Sequence, residues 1–450
     1  MSHPLRIAFL LGSFPVVSET FILRQITGLL DLGHDVRIFA NARPDEAAPI
    51  HPEVAKYNLL NRTTYVDGPA ESVVWELPVW PWRDQTWPPG ATKSIANWRR
   101  LASALPQLVR CLRRAPGLTR QILSSREYRY QAASLSGLHR LATLGSSQAG
   151  FDVLHAHFGP VGNSFRFARA LWNAPLVVSF HGYDFTTLPR KHGAGLYQKL
   201  FETADAVTVN SEFTRNSVAQ LGCSPTKLKR LPVGLDFGAF PFSERARRAN
   251  EPVRLLTVAR LVEIKGHEFA LQAVAKVRAS LPELRYDIVG DGLLRQKLEQ
   301  LIAELGLQGA VTLHGARDGA FIRGLMREAH LALLGSVSIE GDQEGQGLFL
   351  QEAQACGLPV IATQHGALPE GMLPGKSGFL VPERDIGTLA ERIGFLVAHP
   401  EDWPELGRQG RAFVMARYDI RKLNEELVAL YRDLHREFKT ATHEASLPTP

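Results

Sequence analysis

The stretch EGQGLFLQEAQACGLPVIAT, residues 344–363, holds one helix-to-strand unit. Gly347 precedes an apolar-rich run that reads as a helix from about Leu348, and Gly357 with Pro359 prevents its continuation. Val360, Ile361 and Ala362 then supply the short apolar run of a buried strand. Two acids interrupt this otherwise buried unit. Glu344 lies in the loop before the helix, and Glu352 a little over one turn inside it. Side chains on a helix lean toward its N-terminus, so Glu352 can reach back to the mouth where Glu344 sits. Two carboxylates at one crevice are natural acceptors for sugar or ribose hydroxyls. The plainer reading makes Glu344 a partner of the helix dipole and Glu352 an exposed helix residue.

The same rhythm runs through the second half of the chain. After the polar linker SERARRANEP, the runs VRLLTVAR, RYDIVGDG, VTLHG, LALLGS, PVIAT and GFLVP alternate with helical segments, as an open parallel sheet covered by helices requires. The first half opens on a βαβ unit: an apolar strand over residues 5–11, a helix marked by Phe21, Ile22, Ile26, Leu29 and Leu30, a stop at Gly33 and a strand over residues 36–40. Ser18 is a good N-cap for that helix, and the helix start after Gly12 is a place where backbone N–H groups meet an anion. FDVLHAHFG, APLVVSFHGYD and ADAVTVNSE add strands to this first sheet. Residues 70–145 break the rhythm: WELPVWPWRDQTWPPG is rich in Trp and Pro, and residues 93–140 set ten Lys and Arg against the single acid Glu127.

The fold class expected is α/β, with two doubly wound Rossmann-like domains in tandem. The boundaries expected are residues 1–240 for the first domain and 250–417 for the second, then a helix over 418–438 packing back on the first domain, and a disordered tail at 439–450. A length of 450 residues with 45% hydrophobic content is ample for two such cores. The excess of 51 Lys and Arg over 45 Asp and Glu suits phosphate-bearing ligands or anionic lipid without demanding either. Three distant cysteines, Cys111, Cys223 and Cys356, argue against a disulfide framework or a Cys-based zinc site and favour a reducing compartment. The apolar run near the N-terminus is too short to span a membrane, so a cytoplasmic protein is expected, with a peripheral place on the membrane left open.

Several further groups sit where ligands of open parallel sheets bind. Arg260 and Lys265, in VARLVEIKGHEFAL, follow a buried strand and precede a helix; two cations there suit a diphosphate, and on position alone they read equally well as solvated loop charges. The turn Gly290-Asp291-Gly292 is a plain tight turn unless a ligand approaches its backbone. His155 and His157 alternate on one strand face without a third and fourth metal ligand nearby, which favours cleft lining or core packing over a metal site. Asp184 reads as a helix cap as readily as a site residue. Neither first βα turn carries Gly-x-Gly-x-x-Gly, which disfavours a dinucleotide oxidoreductase, and no nucleic-acid motif accompanies the basic charge.

The combined order of Arg260, Lys265, the 290–292 turn, Glu344 and Glu352 eight apart, then ACGLPVIAT and GKSGFLVP, resembles the donor-binding domain of the retaining GT-B glycosyltransferases of family 4. FPVVSETFILRQI, HAHFG and SFHGYD are most similar to the exopolysaccharide transferases of the colanic-acid and amylovoran type. The resemblance spans nearly the whole chain. It implies a GT-B architecture with an interdomain cleft, and a sugar moved from a nucleotide-sugar donor to a hydroxyl of a lipid-linked oligosaccharide. By that resemblance Arg260 and Lys265 hold the donor diphosphate, Gly12 lets the first loop approach the donor phosphates or the acceptor, and Glu352 binds the ribose. Glu344 and His181 meet the transferred sugar, helped by the backbone of Gly345, Gln346 and Gly347. A His at position 181 read alone is more often a packed or surface residue.

No Asp-x-Asp pair occurs in the chain, so no metal and no cofactor are expected. The segment GSVSIEGDQEG is longer and more acidic than the family form, and Glu340 and Asp342 compete there with Glu344 for the sugar. Trp75, Trp80, Trp82, Trp87 and Trp98 beside the Arg-rich helical stretch suit peripheral contact with the inner face of the cytoplasmic membrane; the alternative is a solvated helix beside a Trp-packed loop. A same-fold epimerase or phosphorylase fits the residue set poorly. A catalytically silent partner in a polysaccharide-assembly complex is the rival from another class.

Overall fold

The computed structural model of the chain describes residues 3–16, 19–44, 50–66, 95–128, 132, 135–147, 150–248 and 251–446. Its strands form two parallel sheets. The first runs β1 (Arg6–Ser13), β2 (Asp35–Ala42), β3 (Thr63–Tyr65), β4 (Val153–His157), β5 (Leu176–Phe180), β6 (Ala206–Val209) and β7 (Leu228–Arg230), in the spatial order β3-β2-β1-β4-β5-β6-β7. The second has β8 (Arg254–Val258), β9 (Arg285–Val289), β10 (Val311–Leu313), β11 (Leu331–Leu334), β12 (Val360–Thr363) and β13 (Gly378–Val381), ordered β10-β9-β8-β11-β12-β13. Every strand pair is parallel. Each order reverses direction at the first strand of its domain, and parallel sheets bind ligands outside the carboxyl ends at such a switch point.

Apolar runs become central strands because helices cover both faces: β4, β5, β6, β11 and β12 are buried at every residue. The edge strands β3 and β7 are three residues long and partly exposed, too short to show a period, and the sequence does not announce them. Helix Thr20–Asp31 buries Ile22, Leu23, Ile26 and Leu29 on the first sheet and stops at Gly33, whose φ of 84° a glycine accepts without strain. Its expected cap, Ser18, lies outside the described residues, as do Trp75, Trp80, Trp82, Trp87 and the side chain of Trp98.

Within residues 70–145 the chain is helical where it is described. Helix Ile95–Arg114 turns Ala104, Leu108 and Cys111 into the first core and leaves Leu105, Val109 and Leu112 exposed. Among the described residues no helix is long and apolar enough to cross a membrane.

The final helix, Ile420–Ser446, departs from expectation at its end. A disordered tail was expected from residue 439, yet polar residues such as Lys439 and Thr440 do not break a helix, and the first residue that would is Pro448. Leu427, Val428, Tyr431 and Leu434 of this helix share a core with Ile22, Ile26 and Leu29, so the chain returns from the second domain to finish the first. The outgoing and returning segments touch: Leu235 N–H donates to Tyr418 O (2.6 Å) and Ile420 N–H to Leu235 O (3.1 Å).

Candidate functional site in the interdomain cleft

In the second domain, Arg260 stands in the loop after β8. That loop is tied to the 290–292 turn by Ala259 N–H to Val289 O and Leu261 N–H to Asp291 O, both 2.9 Å. A Cβ on Gly290 would collide with Ala259 O, and one on Gly292 with Leu261 O. These glycines let two loops abut and so hold Arg260 in place; their close approach is to protein backbone. Lys265 ends the short turn Glu263–Lys265, just before helix His267–Arg278. Gly266 follows with φ of 61° and packs so closely on Gly335 O that no side chain fits.

Lys265 and Glu344 form an ion pair, with 14% and 13% of their side chains exposed. Ser336 Oγ donates to the same Glu344 oxygen at 3.0 Å. Burial alone would raise the Glu344 carboxyl, but the Lys265 charge and hydrogen bond outweigh it and hold the group below the ordinary carboxylate range. The rival acids of the loop have partners in the first domain, and Asp342 also lies within charge range of Arg260. Glu340 is 80% exposed and pairs with Arg190 of the first domain (3.1 Å), and Asp342 accepts from Thr186 Oγ1 (2.6 Å). Only Glu344 of the three stands with the Lys265 ammonium.

Glu352 lies in helix Leu348–Ala355, within the bounds the sequence predicts. Burial pushes its carboxyl up to about 7, against the opposing charges of Arg24 and Arg323. Arg24 belongs to helix Thr20–Asp31 and Arg323 to helix Gly319–Glu328, so Glu352 lies within charge range of a cation from each domain. Among the described residues no hydrogen bond or ion pair engages its carboxyl group.

Between the two acids, the Gly345-Gln346-Gly347 segment is pressed on the first domain. A Cβ on Gly345 would collide with His181 O, and Gly347 has a φ of 75° that favours glycine. Gln346 uses its side chain elsewhere. Its side chain accepts from Val233 N–H (2.8 Å) and donates to Val233 O (2.9 Å), so both ends are engaged on the interdomain crossing and only the backbone is left for a sugar. The N–H groups of residues 345–347 take no hydrogen bond among the described residues.

Across the cleft, His181 follows β5. Its N–H donates to Asp184 Oδ1 (3.1 Å), its carbonyl accepts from Asn210 Nδ2 (3.2 Å), and its ring lies against Phe21 and Phe158 at centroid distances of 4.7 and 4.9 Å. Burial lowers His181 to about 3, so the ring is neutral at physiological pH. Asp184 is fully buried and accepts from Gly159, His181 and Gly182 N–H. It therefore ties the turn after β5 to the first N–H of helix Gly159–Phe165, closing that helix start from a distant part of the chain, whereas the helix that follows, Thr187–His192, has Thr186 at its N-cap. Gly12 falls inside β1, not in the loop after it, and among the described residues a Cβ there would meet only Val161, at an ordinary 3.6 Å, so no contact with them demands glycine. His155 is a core residue bonded to Tyr431 and Ser179, and among the described residues no cluster of His, Cys, Asp or Glu could hold a metal.

Sequence reading missed Glu370. Its carboxylate accepts from Glu212 and Phe213 N–H, both at 2.7 Å, closing the start of a first-domain helix from the second domain. Phe21, Gln25, His181, Asn210, Val233 and Ile420 line a pocket beside these contacts.

Residues 18–234 match the glycosyl transferase 4-like domain family, and residues 241–413 match the glycosyl transferases group 1 family. The chain is 30% identical to WcaL of Escherichia coli (strain K12), over 96% of this chain and 100% of WcaL. It belongs to the glycosyltransferases. This glycosyltransferase is also 30% identical to AmsK of Erwinia amylovora, covering 86% of the chain and 89% of AmsK. WcaL is named for colanic acid biosynthesis and AmsK for amylovoran biosynthesis. The fold is similar to that of Anabaena HepE in complex with UDP-glucose, with a TM-score of 0.65 at 17% identity, covering 95% of this chain and 100% of HepE. Sucrose-phosphate synthase from Thermosynechococcus elongatus gives 0.65 at 21%, over 96% and 100%. The two parallel sheets and the cleft between them are the GT-B architecture.

Proposed function

We propose that this glycosyltransferase moves a sugar from a UDP- or GDP-sugar to a hydroxyl of a lipid-linked oligosaccharide in bacterial exopolysaccharide biosynthesis, with retention and without a metal ion. The observation that carries the reading is the Lys265–Glu344 pair beside Arg260 at the carboxyl end of β8, facing His181 across the cleft. The likeness to WcaL and AmsK supports the biosynthetic setting.

Arg260 and Lys265 bind the donor diphosphate and stabilise the charge that grows on it as the bond from the anomeric carbon breaks. Gly12 leaves room for that phosphate or for the acceptor. Glu352 accepts ribose hydroxyls. Glu344, with the free N–H groups of residues 345–347, and His181 bind the transferred sugar. As the anomeric carbon leaves the phosphate oxygen, the acceptor oxygen bonds to it from the same face and its proton passes to the departing phosphate. No protein nucleophile takes part. The missing Asp-x-Asp pair supports metal independence, because the two cations carry the neutralising role.

The exposed Leu105, Val109 and Leu112, with the exposed Arg110, Arg113 and Arg114 on the same helix, support contact with an anionic membrane face where a lipid-linked acceptor resides. The test is a panel of UDP- and GDP-sugars with lipid-linked acceptor extract, with and without EDTA. Transfer of one sugar that survives EDTA is expected. Loss of transfer with EDTA overturns the metal-free mechanism, and inactivity with every donor overturns the assignment in favour of a silent binding partner.

A further inference from the structure

Three histidine rings stand in a row in the first domain. His155 and His157 come from β4, and His181 follows β5. His155 has both nitrogens engaged, one with Tyr431 and one with Ser179. His157 and His181 have one contact with each other, His157 Nδ1 to His181 Nε2 at 3.1 Å. Their ring centroids are 5.3 Å apart and their planes differ by 2°. Parallel rings that far apart with so short a nitrogen contact must meet edge to edge in nearly one plane. That is an in-line N–H···N hydrogen bond.

Burial keeps both rings neutral, so each carries one N–H. Either His157 donates and His181 is protonated at Nδ1, or His181 donates and His157 is protonated at Nε2. The two outer atoms, His157 Nε2 and His181 Nδ1, are buried without a hydrogen-bond partner among the described residues. Each arrangement therefore leaves one N–H unpaired, and an unpaired buried N–H is the rarer and costlier defect. The two locations differ in access. His157 is 1% exposed and enclosed by Phe9 and His155, so an N–H on its Nε2 stays unpaired permanently. His181, unlike His157, lines the cleft pocket, so an N–H on its Nδ1, though covered in this structure, is the one of the two that a ligand seated in that pocket would have to uncover and pair.

We propose that His157 is a positioning residue: it donates Nδ1–H to His181 Nε2 and thereby fixes His181 as an Nδ1–H donor to a sugar oxygen. The donor role rests on the reading that His181 meets the transferred sugar; the tautomer does not. The ligand class follows. An N–H donor at this place accepts sugars with an oxygen lone pair there and discriminates against deoxy analogues.

The test has two arms on the full chain. In the first, two-bond proton–nitrogen NMR of the 15N-histidine-labelled protein, with His181 assigned from His181→Gln, should show His181 protonated at Nδ1 alone. An Nε2-protonated or doubly protonated His181 overturns the proposal. In the second, His157→Asn keeps a donor near the Nδ1 position and His157→Leu removes it. With the donor sugar found active in the panel, His157→Leu should lower turnover about 10- to 100-fold while UDP and GDP dissociation constants stay within about twofold, and His157→Asn should recover most of the loss. Equal loss in both variants, or nucleotide affinity falling in step with turnover, marks a packing role and overturns the positioning role. Normal turnover in His181→Gln overturns the sugar contact itself, while the NMR arm still decides the tautomer.

Discussion

Lys265 and Glu344 hold each other at the carboxyl end of the second sheet, both largely out of water. Removing one partner of such a pair leaves an uncompensated buried charge. Lys265→Met is expected to cost roughly 3 kcal/mol of stability and to weaken UDP and GDP binding about 10- to 100-fold. Chemical denaturation and titration calorimetry check the two effects. The Glu344 pKa is depressed in the fold, so its contribution to stability is present above its unfolded value near about 4.3 and is lost as pH falls through the folded value. In Lys265→Met only His365 and the Ser336 hydrogen bond still oppose burial, so that acid dependence should weaken.

Glu352 has the opposite sign already. Its folded pKa of about 7 lies above the unfolded value of about 4.3, so between those pH values the folded state holds a proton the unfolded state has released. Stability contributed by this group falls as pH rises through that window and is level above it. A ribose diol donates to a carboxylate, so nucleotide affinity should rise up to about tenfold per pH unit below 7 and flatten above. Glu352→Gln should remove the slope. Calorimetric titrations of UDP and GDP from pH 6 to 8.5 read it directly; a slope unchanged in the variant would assign the titration to another group.

Gly345→Ala tests domain contact rather than chemistry. Its methyl group would collide with the His181 carbonyl oxygen, a backbone atom that cannot turn aside. On the proposed assignment the nucleotide is held by the second domain, so its binding should persist while turnover falls about 100-fold, as misplacement near 1 Å does to an aligned reaction. Paired binding and rate measurements decide this.

Leu105→Gln, Val109→Gln and Leu112→Gln together should abolish co-sedimentation with vesicles rich in phosphatidylglycerol and leave nucleotide binding intact. Exchange of Arg110, Arg113 and Arg114 for Gln should remove about 1 kcal/mol of attraction each, an effect that grows as salt is lowered. Equal sedimentation of parent and variants would remove the membrane from the helix's role.

The central strands were legible because apolar runs such as LALL and VIAT have few other places to go than a sheet covered on both faces. For Arg260 and Lys265 the place after a buried strand was legible, but position alone left them equally readable as solvated charges, and only the family resemblance gave them a ligand. What stayed hidden depends on partners distant in sequence. Nothing local says that Gln346 will serve Val233, that Asp342 will meet Thr186, or that Glu370 will close a helix start in the other domain. The competition among Glu340, Asp342 and Glu344 has the same character: three acids of one loop differ only in what approaches them. The final helix runs past residue 439 because polarity alone does not end a helix; termination needs a breaker.

The two chain crossings between the domains lie side by side, joined at Leu235, Tyr418 and Ile420, and a Cβ on Gly234 would lie only 2.7 Å from Ile420 Cα. Two adjacent covalent links act like the paired pins of a door: the second domain can swing about the line through them but cannot easily twist or slide. The contacts made by Glu340, Asp342 and Glu370 with the first domain are then the ones that any swing about that line would have to break.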